Sequence, residues 1–569
     1  MTDIRRSILW VIFGFSMVLL WDKWQIHNGR AATFFSQPPA QKAPGAAEPG
    51  KATPADVPSA SAVAAQVPAA AAAPVAAPTL PRETVEVVSD VLRLTFDSEG
   101  GSLVRADILP HKAATLSSKN KEDKPLTLLT QTPNHIYVAQ SGLIGAAGSQ
   151  FPTHKTPMRL VSADKALADG RNDMVVRFES AETGGAKLVK TFTLRRGSYV
   201  LDVKHEVVNM GAAAIAPQVY MQLVRDGSTT ASETPFYSTF TGPAVYTEEK
   251  KFQKIEFPDI EKNKTDFIKV AKDGYVAMVQ HYFASAWLLD AGIEREHFAR
   301  KVDNNLYAAG MMTAMGTVEP GASKAVEARL FIGPQEEKVM ELVAPGLELV
   351  KDYGWLTMLA KPLYWLLEKI HSFVGNWGWA IVLLVVLIKA AFYWLNATAY
   401  RSMAKMKAIN PRIMEMRERL KDNPQQMQQE MMRIYREEKV NPMGGCFPIM
   451  IQIPVFIALY WVLLASVEMR NAPWALWITD MSSPDPYYIL PLIMTLTTVI
   501  QTALNPLPPD PMQAKLMWIM PLVFSVMFFF FPSGLVLYWI TNNVLTIAQQ
   551  AYINSRMGVP VKFSIPSFK

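Results

Sequence analysis

Long uncharged apolar runs crowd the last third of the chain, and they limit what it can fold into. Residues 377–395 read WGWAIVLLVVLIKAAFYWL, with one charge in the middle. Residues 446–465, 487–504, 516–531 and 535–553 are further runs of the same kind. Runs of such length and apolarity predict membrane-spanning helices. A sixth run, 8–21, follows Arg5 and Arg6 and ends near Trp21 and Trp24. No small-residue cleavage site follows at once, so the pattern favours an uncleaved anchor over a signal peptide. Half of the 569 residues are hydrophobic and 19% are charged. That balance excludes a disordered chain, a collagen and a disulfide scaffold, and suits a membrane protein with a sizeable water-soluble part. Cys446 is the single cysteine, so no intramolecular disulfide can form. A net charge of +6 over this length does not imply binding to a specific nucleic-acid sequence.

The remaining segments differ in character. Residues 37–81 hold 10 prolines and 17 alanines, which reads as an extended spacer. Residues 83–345 carry alternating β-type runs, among them 84–96, 174–180, 187–209, 217–223, 275–290 and 328–333. Pairs such as Gly100-Gly101, Gly184-Gly185 and Arg196-Gly197 punctuate them. Period-2 alternation with regular turns predicts a large β-sandwich. Residues 355–371 are amphipathic and rich in Trp and Leu, predicting an interfacial helix. The expected domains are a 1–24 anchor, a 25–82 linker, an 83–345 β-sandwich, a 346–376 interfacial helix, a 377–553 five-span core and a 554–569 tail.

Loop 397–442 carries ten Lys and Arg residues, whereas loop 466–486 carries only Arg470. The positive-inside rule makes the first cytoplasmic and the second external. Both termini then lie inside and the β-domain outside. Within loop 397–442, Met406, Ile409, Ile413, Met416 and Leu420 follow helical spacing. Asp422-Asn423-Pro424 breaks the pattern, and Met427, Met431 and Ile434 resume it, predicting an antiparallel hairpin.

No Walker loop, HExxH, CxxC or G-x-S-x-G motif occurs, which shifts the weight from an enzyme toward binding or transport. Neither a cofactor nor a metal is implied. The most informative residue is Lys389, near the centre of 377–395. A cation at that depth costs about 2.5–3.5 kcal/mol on insertion scales. It either snorkels to the interface or marks a wet cavity. On a continuous helix Tyr393 and Asn396 share its face. Gln452, Thr495, Thr498, Gln501, Ser525, Thr541, Asn542 and Asn543 are polar residues in other runs. Their convergence would line a groove; ordinary interhelical hydrogen bonding is the other reading. The run 516–531 is short, about 24 Å at 1.5 Å per residue against a hydrocarbon core of about 30 Å, so it would either thin the surrounding bilayer or be extended by its flanking polar turns.

Several blocks resemble the bacterial YidC insertase family: 401–420, 441-NPMGGCFPIMIQIPVFIALYW-461, 484-PDPYYILPLIM-494 and 511–539. The likeness covers 350–553, and the anchor, linker and external domain resemble the Gram-negative form. The resemblance implies an α-helical polytopic membrane protein of six spans with a five-helix core, plus an all-β periplasmic supersandwich of the mutarotase type. It implies an inner-membrane location, nascent integral membrane proteins as clients, and association with the Sec translocon. The ribosome or signal-recognition machinery would meet the cytoplasmic hairpin, and lipids would surround the core. The family's groove usually carries an arginine where this chain has Lys389, which keeps the charge but not the bidentate fork. The implied groove residues are Lys389, Tyr393, Asn396, Gln452, Thr541 and Asn542. The implied apolar slide for clients is Ile449, Ile453, Phe456, Met520, Phe524 and Met527. The competing readings are a small-anion transporter or channel, and an anchored periplasmic glycan-processing enzyme.

Overall fold

The computed structural model describes residues 57–59, 82–112, 124–146, 149–228, 239–420, 423–438, 447–505, 511–556 and 558. The expected anchor, most of the linker and nearly all of the tail lie outside them. The chain divides into two compact units, with the boundary between Lys351 and Asp352.

The first unit is built from two nine-stranded sheets in which every ladder is antiparallel. One sheet runs in the order Thr84–Val88, Leu92–Asp97, Ser102–Lys112, Pro125–Thr132, His135–Ile144, Gln218–Asp226, Leu306–Ala314, Arg295–Asp303, Val270–Ala271. The other runs Lys251–Lys254, Gly242–Thr247, Tyr275–Val279, Phe283–Leu288, Ser323–Pro334, Val200–Asn209, Ala186–Arg195, Asp173–Ser180, Met158–Ala163. Alternation in the sequence becomes alternation of faces. Along Asp173–Ser180 the residues Met174, Val176, Phe178 and Ser180 are buried while their neighbours are not. Such side chains from both sheets fill the interior of a sandwich. Tyr137 of the first sheet meets Ser285 of the second through their hydroxyls at 2.6 Å. The Trp287 indole donates back to the Gln222 carbonyl at 3.2 Å.

Two turns show how the chain reverses. Gly100 has φ +69°, and a Cβ there would sit 2.2 Å from the His154 carbonyl oxygen, so only glycine fits. The run 275–290, read as one β-type stretch, is a hairpin: Gln280 N–H donates to Phe283 O at 2.9 Å and closes the turn. No glycine marks that turn, so the apolar pattern ran through it. Two short helices, α1 (Phe257–Glu261) and α2 (Glu337–Val343), also belong to this unit.

The second unit is helical: α3 (Thr357–Val374), α4 (Trp377–Ala391), α5 (Tyr393–Arg419), α6 (Pro424–Glu437), α7 (Phe447–Ala465), α8 (Ile489–Leu504), α9 (Pro511–Met527) and α10 (Ser533–Arg556). Asn376 caps α4 by accepting from Trp379 N–H at 3.1 Å. Gly375, at φ +72°, closes α3 in a left-handed cap.

One of the expected spans is bent in the structure. Among the described residues no single helix is long and apolar enough to cross a membrane by length and composition. One pair, α4 with α5, passes jointly but is bent by 69°. The run 377–395 is therefore not one straight helix. The bend falls at Phe392, whose ψ of 9° leaves the helical range. Neither Pro nor Gly marks it in the sequence, and packing of both halves against α10 accompanies it.

Candidate functional site: a cavity beside a buried lysine

Lys389 sits on the last turn of α4 and is 9% exposed. Its Nζ donates to Thr546 Oγ1 of α10 at 2.8 Å. The Thr546 hydroxyl donates in turn to the Asn542 carbonyl one turn earlier, at 2.7 Å. Gln452 of α7 donates from Nε2 to Asn542 Oδ1 at 2.8 Å. Ammonium, hydroxyl and two amides thus join three helices. Among the described residues no carboxylate pairs with Lys389.

Beside this chain of bonds lies a cavity with about 430 Å³ of empty space, part of it open at the mouth. Lys389, Asn396, Gln452, Tyr538 and Asn542 supply its polar lining, and Val385, Ile388, Phe392, Leu395 and Val455 its apolar lining. Four helices and the α4–α5 bend contribute. Of the six expected groove residues, Lys389, Asn396, Gln452 and Asn542 come together here. Tyr393 does not: the bend separates it from Lys389, it is 46% exposed, and it is absent from the lining. Thr541 also stands apart, its hydroxyl donating to Leu537 O of its own helix. The i, i+4, i+7 placement assumed an unbroken helix, which the bend removes.

The other polar residues sort elsewhere. Asn543 donates to Thr497 Oγ1 and Thr498 Oγ1, forming a separate seam between α8 and α10. Thr495 and Ser525 return their hydroxyls to Pro491 O and Pro521 O of their own helices. Sequence reasoning passed over Thr546 and Tyr538. Thr546 was legible at i+4 from Asn542; Tyr538 gave no signal beyond its place in an apolar run.

The expected slide residues differ among themselves. Ile453, Met520 and Phe524 are exposed, at 48%, 43% and 52%. Met527 is half-buried. Phe456 instead packs on Tyr538 and Trp539, with ring centroids 5.8 and 4.7 Å away. The Ile449 side chain lies outside the described set. Around Met520 and Phe524, α9 also exposes Leu516, Ile519, Leu522, Val523 and Val526, an apolar surface of the kind lipid covers.

The chemistry available is binding. A buried ammonium with neutral partners attracts an anion, and the amides can replace part of its water. Among the described residues no cluster of His, Cys, Asp and Glu could hold a metal ion.

Residues 84–366 match the family described as the YidC periplasmic domain, and residues 369–559 match the 60Kd inner membrane protein family. The molecule is thus of the class of inner-membrane proteins that carry a periplasmic domain. It is 52% identical to the membrane protein insertase YidC of Cupriavidus metallidurans, over 98% of each chain. It is 54% identical to that of Bordetella petrii, over 96% of this chain and 97% of the relative. The chain belongs to the YidC family. A crystal structure of an active YidC insertase aligns over 83% of this chain and 92% of its own, at 18% identity and TM-score 0.37, a likeness too slight to argue from.

Proposed function

We propose that this chain inserts integral proteins into the inner membrane and helps them fold, without an energy-consuming site. Its relatives' name supports the reading, and the geometry around Lys389 carries it: a buried cation bonded only to uncharged groups, at a cavity shared by four helices. A client's short polar or acidic segment enters from the cytoplasmic side. Lys389 attracts it, while Asn396, Gln452 and Asn542 take over part of its hydration. The client's apolar helix moves along Ile453, Met520 and Phe524 and passes into lipid. The membrane potential favours outward movement of each negative charge by about 2.3 kcal/mol per 100 mV.

In this reading six spans, one of them bent, place both termini and hairpin 397–442 in the cytoplasm and the β-sandwich in the periplasm. Helix α3 lies along the interface, and its Met358 and Phe373, each 93% exposed, would face lipid. The slide includes Ile449, Phe456 and Met527, the groove Tyr393 and Thr541 at its margin. Clients arrive alone or with the Sec translocon, and the basic hairpin meets the ribosome or signal-recognition machinery.

The experiment is Lys389→Ala with a client whose translocated tail is acidic. Insertion falls while the amount of protein in the membrane stays normal. Undiminished insertion at normal protein levels would remove Lys389 from the mechanism.

A further inference from the structure

The linker is composed as a spacer, yet its described residues, 57–59, do not stand free. Val57 packs against a cluster of Ile144, Tyr220 and Met312 on the first sheet, together with Phe298. Pro58 is buried, whereas Ser59 is exposed. Arg300 donates from Nη1 to the Val57 carbonyl at 3.0 Å.

Arg300 is itself held in place. Its Nη2 donates to Gln222 Oε1 at 3.2 Å, and its guanidinium lies 5.5 Å from the centroid of the Phe298 ring. Phe298 lies opposite Gly310 in the ladder, where a Cβ would come within 2.7 Å of its ring. Glycine there lets the ring lie close over the sheet. The result is a small apolar seat with a fixed cationic donor at its edge.

The chemistry of Val-Pro suits that seat. A residue before proline is restricted to extended backbone, so little conformational freedom is lost on docking. Proline has no N–H to leave unpaired, and the carbonyl before it receives a charge-assisted bond. We propose that the outer face of the first sheet carries a docking site for an extended Val-Pro segment, and that Val57-Pro58 of this chain is its resident occupant. The linker is thereby pinned to the sandwich at this point.

The test uses the full-length protein in detergent, with Cys446→Ser and a spin label at Ser59→Cys. The parent gives a slow-motion spectrum, and Val57→Asp or Arg300→Met each shifts it to fast motion. A fast-motion spectrum in the parent, or one unchanged by both replacements, overturns the proposal. Val57→Asp lies outside the sheets, so it tests docking even where Arg300→Met impairs folding. A fluorescent peptide of residues 53–62 provides the second readout. It binds the Val57→Asp chain about tenfold more tightly than the parent, whose seat is filled, or the Val57→Asp/Arg300→Met chain. Equal binding to all three overturns the site.

Discussion

Lys389 and Lys190 are both buried ammonium groups bonded to uncharged oxygens, and their surroundings separate their roles. Lys190 is fully enclosed between the sheets, donating to Gly100 O and Ser141 O at 2.6 Å each. Burial pushes its pKa down to about 7. Burial, and secondarily the Lys190 charge, pushes neighbouring His205 down to about 3. In the unfolded chain both groups return to ordinary values, so that state binds more protons between pH 7 and 10.5 for the lysine, and between 3 and 6.5 for the histidine. Stability contributed by each pair of states rises with pH across its window and is lost as pH falls through it. Urea titrations should therefore show the parent gaining stability between pH 7 and 10 relative to Lys190→Met, whose curve lacks that rise. Parallel curves would mean that Lys190 is not charged on unfolding in that range. Lys389, by contrast, lines a cavity beside its hydrogen bond to Thr546.

At the scale of elements, the hairpin shows how far a pattern reaches. Ile409, Ile413, Met416 and Ile434 form one buried cluster, with Met406, Leu420, Met427 and Met431 packed on it. All eight residues carry the helical spacing in the sequence, and Arg412 links the arms through Glu437 and Glu438. Asn423 caps α6 by accepting from Gln426 N–H at 3.3 Å, with Pro424 in the first turn. Asn423→Ala should destabilise this hairpin by about 1 kcal/mol, read as faster amide exchange in α6 alone; exchange unchanged there would deny the cap its role. The hairpin was legible because its period and its breaker are both local. The α4–α5 bend was not, because Phe392 carries no local signal and the bend accompanies contacts with α10, far along the chain. The same limit explains the site. Lys389, Asn396, Gln452 and Asn542 could be named from polarity inside apolar runs, while the unseen bend sets Tyr393 outside the cavity lining. Thr546 bonds its own helix as Thr541 does; its distinguishing partner, the Lys389 ammonium, comes from α4, far along the chain.

For the whole molecule, the proposed insertion route lies within the second unit alone. The sandwich buries its own core, and nothing in the proposed insertion route uses it. Deleting 83–345 should leave most of the insertion activity, and abolition at normal membrane levels would favour a role for the sandwich in the activity itself. The route itself is tested most directly by photocrosslinking during synthesis of an acidic-tailed membrane client. Photoreactive residues would stand at Asn396 in the cavity, at Phe524 on the apolar face of α9, and at Leu342, an exposed position on the sandwich. The account predicts adducts to the nascent chain from Asn396 and Phe524, weakened by Lys389→Ala at Asn396, and none from Leu342. Adducts from Leu342 with none from Asn396 would contradict it.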